Sequence, residues 1–207
     1  MTLFELSSAR EKTCHKALSL LSGKDETHIS FPFFTKDEIE ALKADTDSLC
    51  FRQATPVVGN QVHQDMQVCF PAPLVGHFKA CAKLIETSVN QWSQRQRFLP
   101  EMYKINDFAV QKYGKESKGI GIHKDGLRYK YLVMIITLDG ESRLFHCPTR
   151  DGSRRFAIDD SPGRLVILKG PDFAGFDAHN RLLHGVDQVV SGRLSIGFRH
   201  EVVVQTN

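Results

Sequence analysis

The chain lacks the features that would place it in a membrane or staple it together covalently. Its longest apolar runs are LVMII at 132–136 and VVV at 202–204, far short of the roughly 20 residues a spanning helix needs. The opening MTLFELSSAREK has no charged start followed by an apolar stretch, so no secretory signal is expected. No CxxC pair occurs, and the five cysteines (14, 50, 69, 81 and 147) are odd in number. That argues against a structural zinc site and for reduced thiols in a cytosol-like compartment, the cytoplasm or, in a eukaryote, the nucleus as well. No repeat, low-complexity tract or linker divides the sequence, which predicts one domain over 1–207. Neither sign of charge dominates: 27 Lys and Arg against 24 Asp and Glu leave a net charge of +3, which permits an anionic partner without requiring one.

What is present is ordinary globular material, with 41% hydrophobic and 25% charged residues. Helical signal dominates about 1–98. Leu3 to Leu21 carries apolar residues at helical spacing and stops at Gly23. TKDEIEAL places Thr35 and Glu38 in a T-x-x-E capping box, so a second helix should begin at Thr35. The longest helical pattern spans 73–92. From about 99 to 204 the texture changes to short apolar or alternating segments divided by Gly, Pro, Asp and Ser. Strands are expected at 103–113, 119–125, 129–138, 143–147, 153–158, 164–169, 181–187 and 192–204. Helices first and strands afterwards indicate an α+β fold, a sandwich or barrel buttressed on one face by N-terminal helices.

Two His-x-Asp triplets occur, His63-Gln64-Asp65 and His123-Lys124-Asp125. Their spacing alone does not separate a metal site from a polar pair at a sheet edge. In a strand, positions i and i+2 share a face, so His123 and Asp125 point the same way while Ile120 and Ile122 turn into packing. Two imidazoles and one carboxylate on one face of a ferrous ion leave positions open for other ligands. A third ligand must therefore arrive on a strand returning beside this one. His184, at the end of an apolar stretch, is the preferred candidate; its rival His179 lies in the Gly-, Pro- and Asn-containing loop GPDFAGFDAHN. DQVVSG at 187–192 reads as a turn, and the strand after it alternates. Arg193, Ser195, Gly197 and Arg199 share one face, and Leu194, Ile196 and Phe198 the other. In NDFAVQKYG, Gln111 and Tyr113 likewise share a face, with Phe108 and Val110 behind them. Two such strands would wall a polar pocket suited to a dicarboxylate. A planar arginine fork such as that of Arg193 pairs well with a carboxylate, and the hydroxyls of Tyr113 and Ser195 can satisfy its other lone pairs. The triplet at 63–65 has no such partners and is assigned a structural or substrate-side role. His146, between Phe145 and Cys147, is assigned to packing.

With QKY (111–113), HKD (123–125), LLHGV (182–186) and GRLSIGFR (192–199) in this order, the chain resembles the Fe(II)/2-oxoglutarate-dependent dioxygenases, specifically the AlkB-like group. The match covers roughly 100–202 well and the helices before it weakly. It implies a double-stranded β-helix, or jelly roll, with iron near one mouth. It also implies that His123, Asp125 and His184 bind Fe(II), and that Arg193 grips the distal carboxylate of 2-oxoglutarate with help from Tyr113, Ser195, Arg199 and Gln111. Gln111 and Ser195 depart from the pattern, each standing where Asn is common. The implied reaction consumes O₂, splits 2-oxoglutarate into succinate and CO₂, and hydroxylates a substrate C–H; ascorbate is the expected reductant in vitro.

Two substrate classes follow, with a non-catalytic jelly-roll binding module below both. An N-alkylated nucleic-acid base, dealkylated through its hydroxylated carbon, would need stacking aromatics and a basic track. Arg128, Lys130, Arg150, Arg154 and Arg155 are the candidate cations, and Phe51, Tyr129, Phe173 and Phe176 the candidate aromatics. A small molecule, an amino acid or specialised metabolite, fits the short chain and modest charge. The segment 53–66 and the loop 170–180 would close over it, with Arg128 or Asp65 fixing a polar group. Neither pattern in the sequence speaks to oligomeric state.

Overall fold

The structure, a computed structural model, describes residues 3–59, 62–96, 98–99 and 101–202. Helix α1 (Ser8–Leu21) starts five residues later than the periodicity suggests, because Ser7 caps it by accepting from the Arg10 amide at 3.2 Å. Helix α2 (Lys36–Asp45) is closed by the expected capping box. Thr35 Oγ1 accepts from the Glu38 amide at 3.3 Å, and Glu38 Oε2 accepts from the Thr35 amide at 2.9 Å. Helix α3 (Gly76–Gln96) buries Phe78, Cys81, Ile85, Val89 and Trp92 at helical spacing.

The N-terminal part is less helical than the sequence implies. It also contributes β1 (His28–Pro32), β2 (Arg52–Gln53), β3 (Val57–Val58), β4 (Val62–Asp65) and β5 (Gln67–Cys69). After α3 come β6 (Asp107–Tyr113), β7 (Gly119–His123), β8 (Tyr129–Cys147), β9 (Phe156–Ala157), β10 (Arg164–Lys169) and β11 (Leu183–Glu201). Two expected strand pairs are in fact single long strands. Segments 129–138 and 143–147 join as β8, and 181–187 joins the described part of 192–204 as β11, residues 203 and 204 lying outside the described residues. The expected turn at 187–192 is an irregularity inside β11, where Gln188 takes a positive φ of 49° and the register against β8 shifts.

These two bent strands build the jelly roll. The first half of β8 and the second half of β11 pair within one layer, ordered β1-β10-β8-β11-β6-β5-β2. The remaining halves pair in a second layer that also holds β9, β7, β4 and β3. The bends coincide at Gly140 and Gly192, with φ of 95° and 96°. A Cβ on Gly140 would overlap the Gly192 carbonyl oxygen, so β8 approaches β11 this closely only because residue 140 is glycine; a Cβ on Gly192 would instead lie 3.0 Å from the Tyr113 carbonyl oxygen of β6.

Strand alternation then sorts the side chains. Phe108, Val110, Leu132, Met134, Ile136, Ile196 and Phe198 pack outward against α1 and α3 in one apolar core. Tyr113, Val133, Leu144, Val166 and Val186 turn inward to a second core between the layers. The site opens from that interior. No helix among the described residues is long and apolar enough to cross a membrane.

Candidate active site

Antiparallel pairing brings distant residues onto one inner face. His184 of β11 lies directly opposite His123 of β7, and their rings sit 4.3 Å apart between centroids. Asp125 follows His123 on the same side, with Oδ2 3.5 Å from His184 Nε2. One ligating atom from each of the three residues falls within 4.8 Å of the other two. His179 lies elsewhere, exposed on a short 3-10 turn, with its carbonyl oxygen accepting from Lys124 Nζ at 2.7 Å.

Backbone carbonyls orient the two imidazoles. His123 Nδ1 faces the Gly121 carbonyl at 2.9 Å and His184 Nδ1 faces the Leu182 carbonyl at 3.2 Å. A carbonyl only accepts, so each Nδ1 carries a proton and Nε2 is the ring nitrogen left to face the centre. Burial beside His184 pushes His123 down to about 4, so it is neutral at physiological pH. Burial pushes the Asp125 carboxyl upward, but His184, His123, Arg199 and Arg181 together hold it below its ordinary value. Two neutral imidazoles and one carboxylate are a donor set for a divalent first-row metal.

Beside the triad lies a narrow chamber of about 50 Å³ between the two layers. The β6–β11 register places Arg193 opposite Tyr113, Ser195 opposite Gln111 and Arg199 opposite Asp107, and all but Ser195 and Asp107 are counted in the chamber lining. Tyr113 is buried, which pushes its hydroxyl up to about 12 against the opposing pull of Arg193, so it is a donor. Five side-chain polar atoms are buried without a partner among the described residues, and Arg193 Nε, Ser195 Oγ and Arg199 Nε are three of them. Buried polar groups are nearly always paired. Three orphans clustered along one face of β11 mark a place built for an oxygen-rich ligand. Arg199 Nη1 is already committed to Asp107 Oδ1 at 2.7 Å, and Arg193 Nη1 to Asp160 Oδ2 at 2.5 Å.

The chamber opens on a wider cleft of about 410 Å³ that shares His123, Asp125, Gln111 and Arg199 with it. Ala54, Val58, Val62, Gln64 and Met66 roof the cleft, in line with the expected cover from 53–66. The loop 170–180 contributes nothing to that lining. Phe173 is instead buried against Trp92, with ring centroids 5.8 Å apart. Asp65 does not reach the cleft either: its carboxylate accepts from the Lys118 amide at 2.7 Å and fixes the start of β7. The 63–65 triplet is therefore structural, because alternation sends Val62 and Gln64 inward and His63 and Asp65 out. His146 stacks on Phe156 at 5.2 Å, in a packing role.

Sequence reasoning missed the two acidic partners. Asp107 was within reach of it, since Asp107, Ala109, Gln111 and Tyr113 alternate on one face. Asp160 sits in the loop DDSPG, where no periodicity indicates direction.

No family model matches the chain, and no curated protein sequence does. Solved structures match it over nearly its full length. A prolyl hydroxylase from Trichoplax adhaerens, in complex with a hypoxia inducible factor oxygen degradation domain peptide fragment, aligns with a TM-score of 0.63 at 13% identity, covering 96% of this chain and 94% of that one. A 2OG-Fe(II) oxygenase family oxidoreductase from Burkholderia pseudomallei aligns with a TM-score of 0.60 at 16% identity, covering all of both chains. OsALKBH1 aligns with a TM-score of 0.56 at 14% identity, covering 84% of this chain and 98% of that one. At such identities the likeness is one of architecture: the chain has the double-stranded β-helix fold of the 2-oxoglutarate/Fe(II) oxygenases.

Proposed function

We propose that the chain is an Fe(II)- and 2-oxoglutarate-dependent oxygenase that hydroxylates a C–H bond of a small organic substrate. The observation that carries this reading is the His123–Asp125–His184 cluster set beside a chamber lined by Arg193 and Arg199, whose Nε atoms, with Ser195 Oγ on the same face of β11, are buried without a partner among the described residues. The three cluster residues would hold the ferrous ion. Bound iron, with O₂ and 2-oxoglutarate, supplies the oxidising equivalent, and 2-oxoglutarate leaves as succinate and CO₂.

The rest of the work falls to the chain. Arg193 Nε and Ser195 Oγ take the distal carboxylate of the cosubstrate, with the Tyr113 hydroxyl as a further donor. Arg199 and Gln111 border the end of the chamber nearest Asp125. Val58, Val62 and Met66 cover the adjoining cleft and exclude water from the reacting carbon.

Action on nucleic-acid bases, the reaction suggested by the AlkB-like motif order, finds less support on the surface. Arg128 is paired with Glu201 at 2.9 Å, Lys130 with Asp172 at 2.7 Å and Arg155 with Asp187 at 2.5 Å. Two of the five candidate phosphate contacts, Arg128 and Lys130, thus have an acid of their own, and Arg155 shares Asp187 with Arg143. Of the four candidate aromatics, Tyr129 alone lines the cleft.

The test is succinate release by the protein with Fe(II), ascorbate and 2-oxoglutarate. Slow release is expected without substrate, and faster release with a metabolite from a library that also contains prolyl peptides and alkylated oligonucleotides. His184→Ala abolishes release and His179→Ala does not; the reverse would overturn the ligand assignment. Turnover confined to oligonucleotides and falling steeply with salt would overturn the substrate class.

A further inference from the structure

Both arginines beside the chamber have an aspartate of their own, but the two aspartates are placed differently. Asp107 pairs with Arg199 across the β6–β11 register. Asp160 comes from a loop and stands behind Arg193. Its Oδ2 accepts from Arg193 Nη1 at 2.5 Å and from Thr137 Oγ1 at 2.6 Å, while Ser142 Oγ takes a further Arg193 Nη1 contact at 3.1 Å. Asp160 is not part of the chamber wall. It borders a separate recess of about 380 Å³, lined also by Thr137, Ser142, Ile158 and Pro162. The Arg193 side chain is 1% exposed and that of Asp160 11%, so this is a buried pair with one edge toward water.

The charge count has a consequence. A distal carboxylate docked on Arg193 Nε meets a guanidinium whose charge is already matched. The resulting group of three carries one net negative charge in a poorly screened setting, where two carboxylates sharing one cation oppose each other. We infer that Asp160 is a specificity-determining residue for the cosubstrate. Acting through Arg193, it weakens the hold on the distal carboxylate and narrows the preference for 2-oxoglutarate over 2-oxo acids with no second carboxylate. The recess gives the Asp160 carboxylate room to turn toward water when the cosubstrate arrives. Affinity is lowered whether Asp160 stays and repels or leaves its partners. The inference rests on the oxygenase reading above and adds to it a tuned cosubstrate affinity.

Asp160→Asn tests it, because the amide keeps an oxygen that can accept from Arg193 and Thr137 while the charge is lost. Wild type and variant, both with Mn(II), are titrated by calorimetry with 2-oxoglutarate and with 2-oxopentanoate, and their thermal unfolding is followed with each. Expected are a Kd for 2-oxoglutarate at least fivefold lower in the variant, a change under twofold for 2-oxopentanoate, and a larger 2-oxoglutarate-induced rise in Tm than in wild type. Asp160→Ser, with a hydroxyl to accept in place of the carboxylate, gives the same reading if the amide variant does not fold. Unchanged or weaker 2-oxoglutarate binding in the charge-free protein, or an equal gain for both oxo acids, overturns the inference. Binding of neither oxo acid by wild type overturns the oxygenase reading itself, and the inference with it.

Discussion

The place where β8 and β11 cross is the most exposed to a single methyl group. Gly140 has a φ of 95°, outside the region a residue with a Cβ adopts, and its missing Cβ would overlap the Gly192 carbonyl oxygen and lie 2.8 Å from Arg193 Cα. Gly140→Ala therefore incurs two costs. Backbone strain at such a φ is about 1–3 kcal/mol. Forcing a group into a closed space adds about 1–3 kcal/mol more, here against backbone that has no rotamer to change. The sum, about 2–6 kcal/mol, corresponds to a Tm lowered by roughly 5–20 °C for a chain of this size. The strands that must separate carry Arg193 one residue past the bend, and a 1 Å misplacement at a reacting centre costs on the order of 100-fold in rate. Thermal and urea unfolding followed by circular dichroism, with succinate release measured below the transition, gives both quantities. Gly114→Ala is the control, since nothing lies within 4 Å of a Cβ there and no positive φ is required. If Gly140→Ala unfolds within 1 kcal/mol of the Gly114→Ala protein, the glycine crossing is not what allows the two strands to bend together.

Two further outcomes concern His28 and Glu38. Burial beside His146 and His184 pushes His28 down to about 4, so the folded protein keeps it neutral where the unfolded chain takes up a proton. Its contribution to stability is present above about pH 6.5 and is lost as pH falls toward 4; His28→Phe should flatten that part of a stability–pH curve, and an unchanged slope would remove His28 as its source. Glu38 is the acceptor for the Phe4 amide at 2.7 Å and for the Arg10 guanidinium at 2.7 Å, besides closing the capping box. Thr35→Ala, which removes only the cap, should cost about 1 kcal/mol, whereas Glu38→Ala leaves Arg10 and two amides without their acceptor and should cost about 3–5 kcal/mol; equal losses in urea unfolding would refute the ranking.

Glu38 also shows where sequence reading stops. The capping box is visible because its partners are three residues apart and its geometry is local. The link to Phe4 and Arg10 depends on how α1 folds back over α2, which no short window contains. The same boundary explains the strands. Alternation over 107–113 and 193–199 was long enough to assign faces, and those faces are the ones observed. The strands β2 to β5 have two to four residues each, too few for a period to be counted, and β1 ends in a proline. Gly140 and Gly192 fall where the sequence implies breaks between strands, because a glycine that turns a chain and one that lets two strands approach leave the same mark in sequence.

The site divides along the same line, and the division has a physical cause. His123 ends β7 and Asp125 lies two residues past it, while His184 meets His123 because an antiparallel neighbour puts directly opposed residues on one face. Strand pairing supplies the meeting of the two histidines, so residue spacing suggests it, whereas Asp125 is placed by the chain just past the end of β7. The charge balance around Arg193 follows no such rule. Asp160 reaches it from a loop after β9, and only the packed structure shows that the Arg193 guanidinium already has a counterion. Periodic backbone geometry can be read from spacing, but the electrostatic environment of a group is fixed by whatever the fold brings beside it. A motif therefore names the residue that grips a ligand well before it indicates how tightly that residue grips.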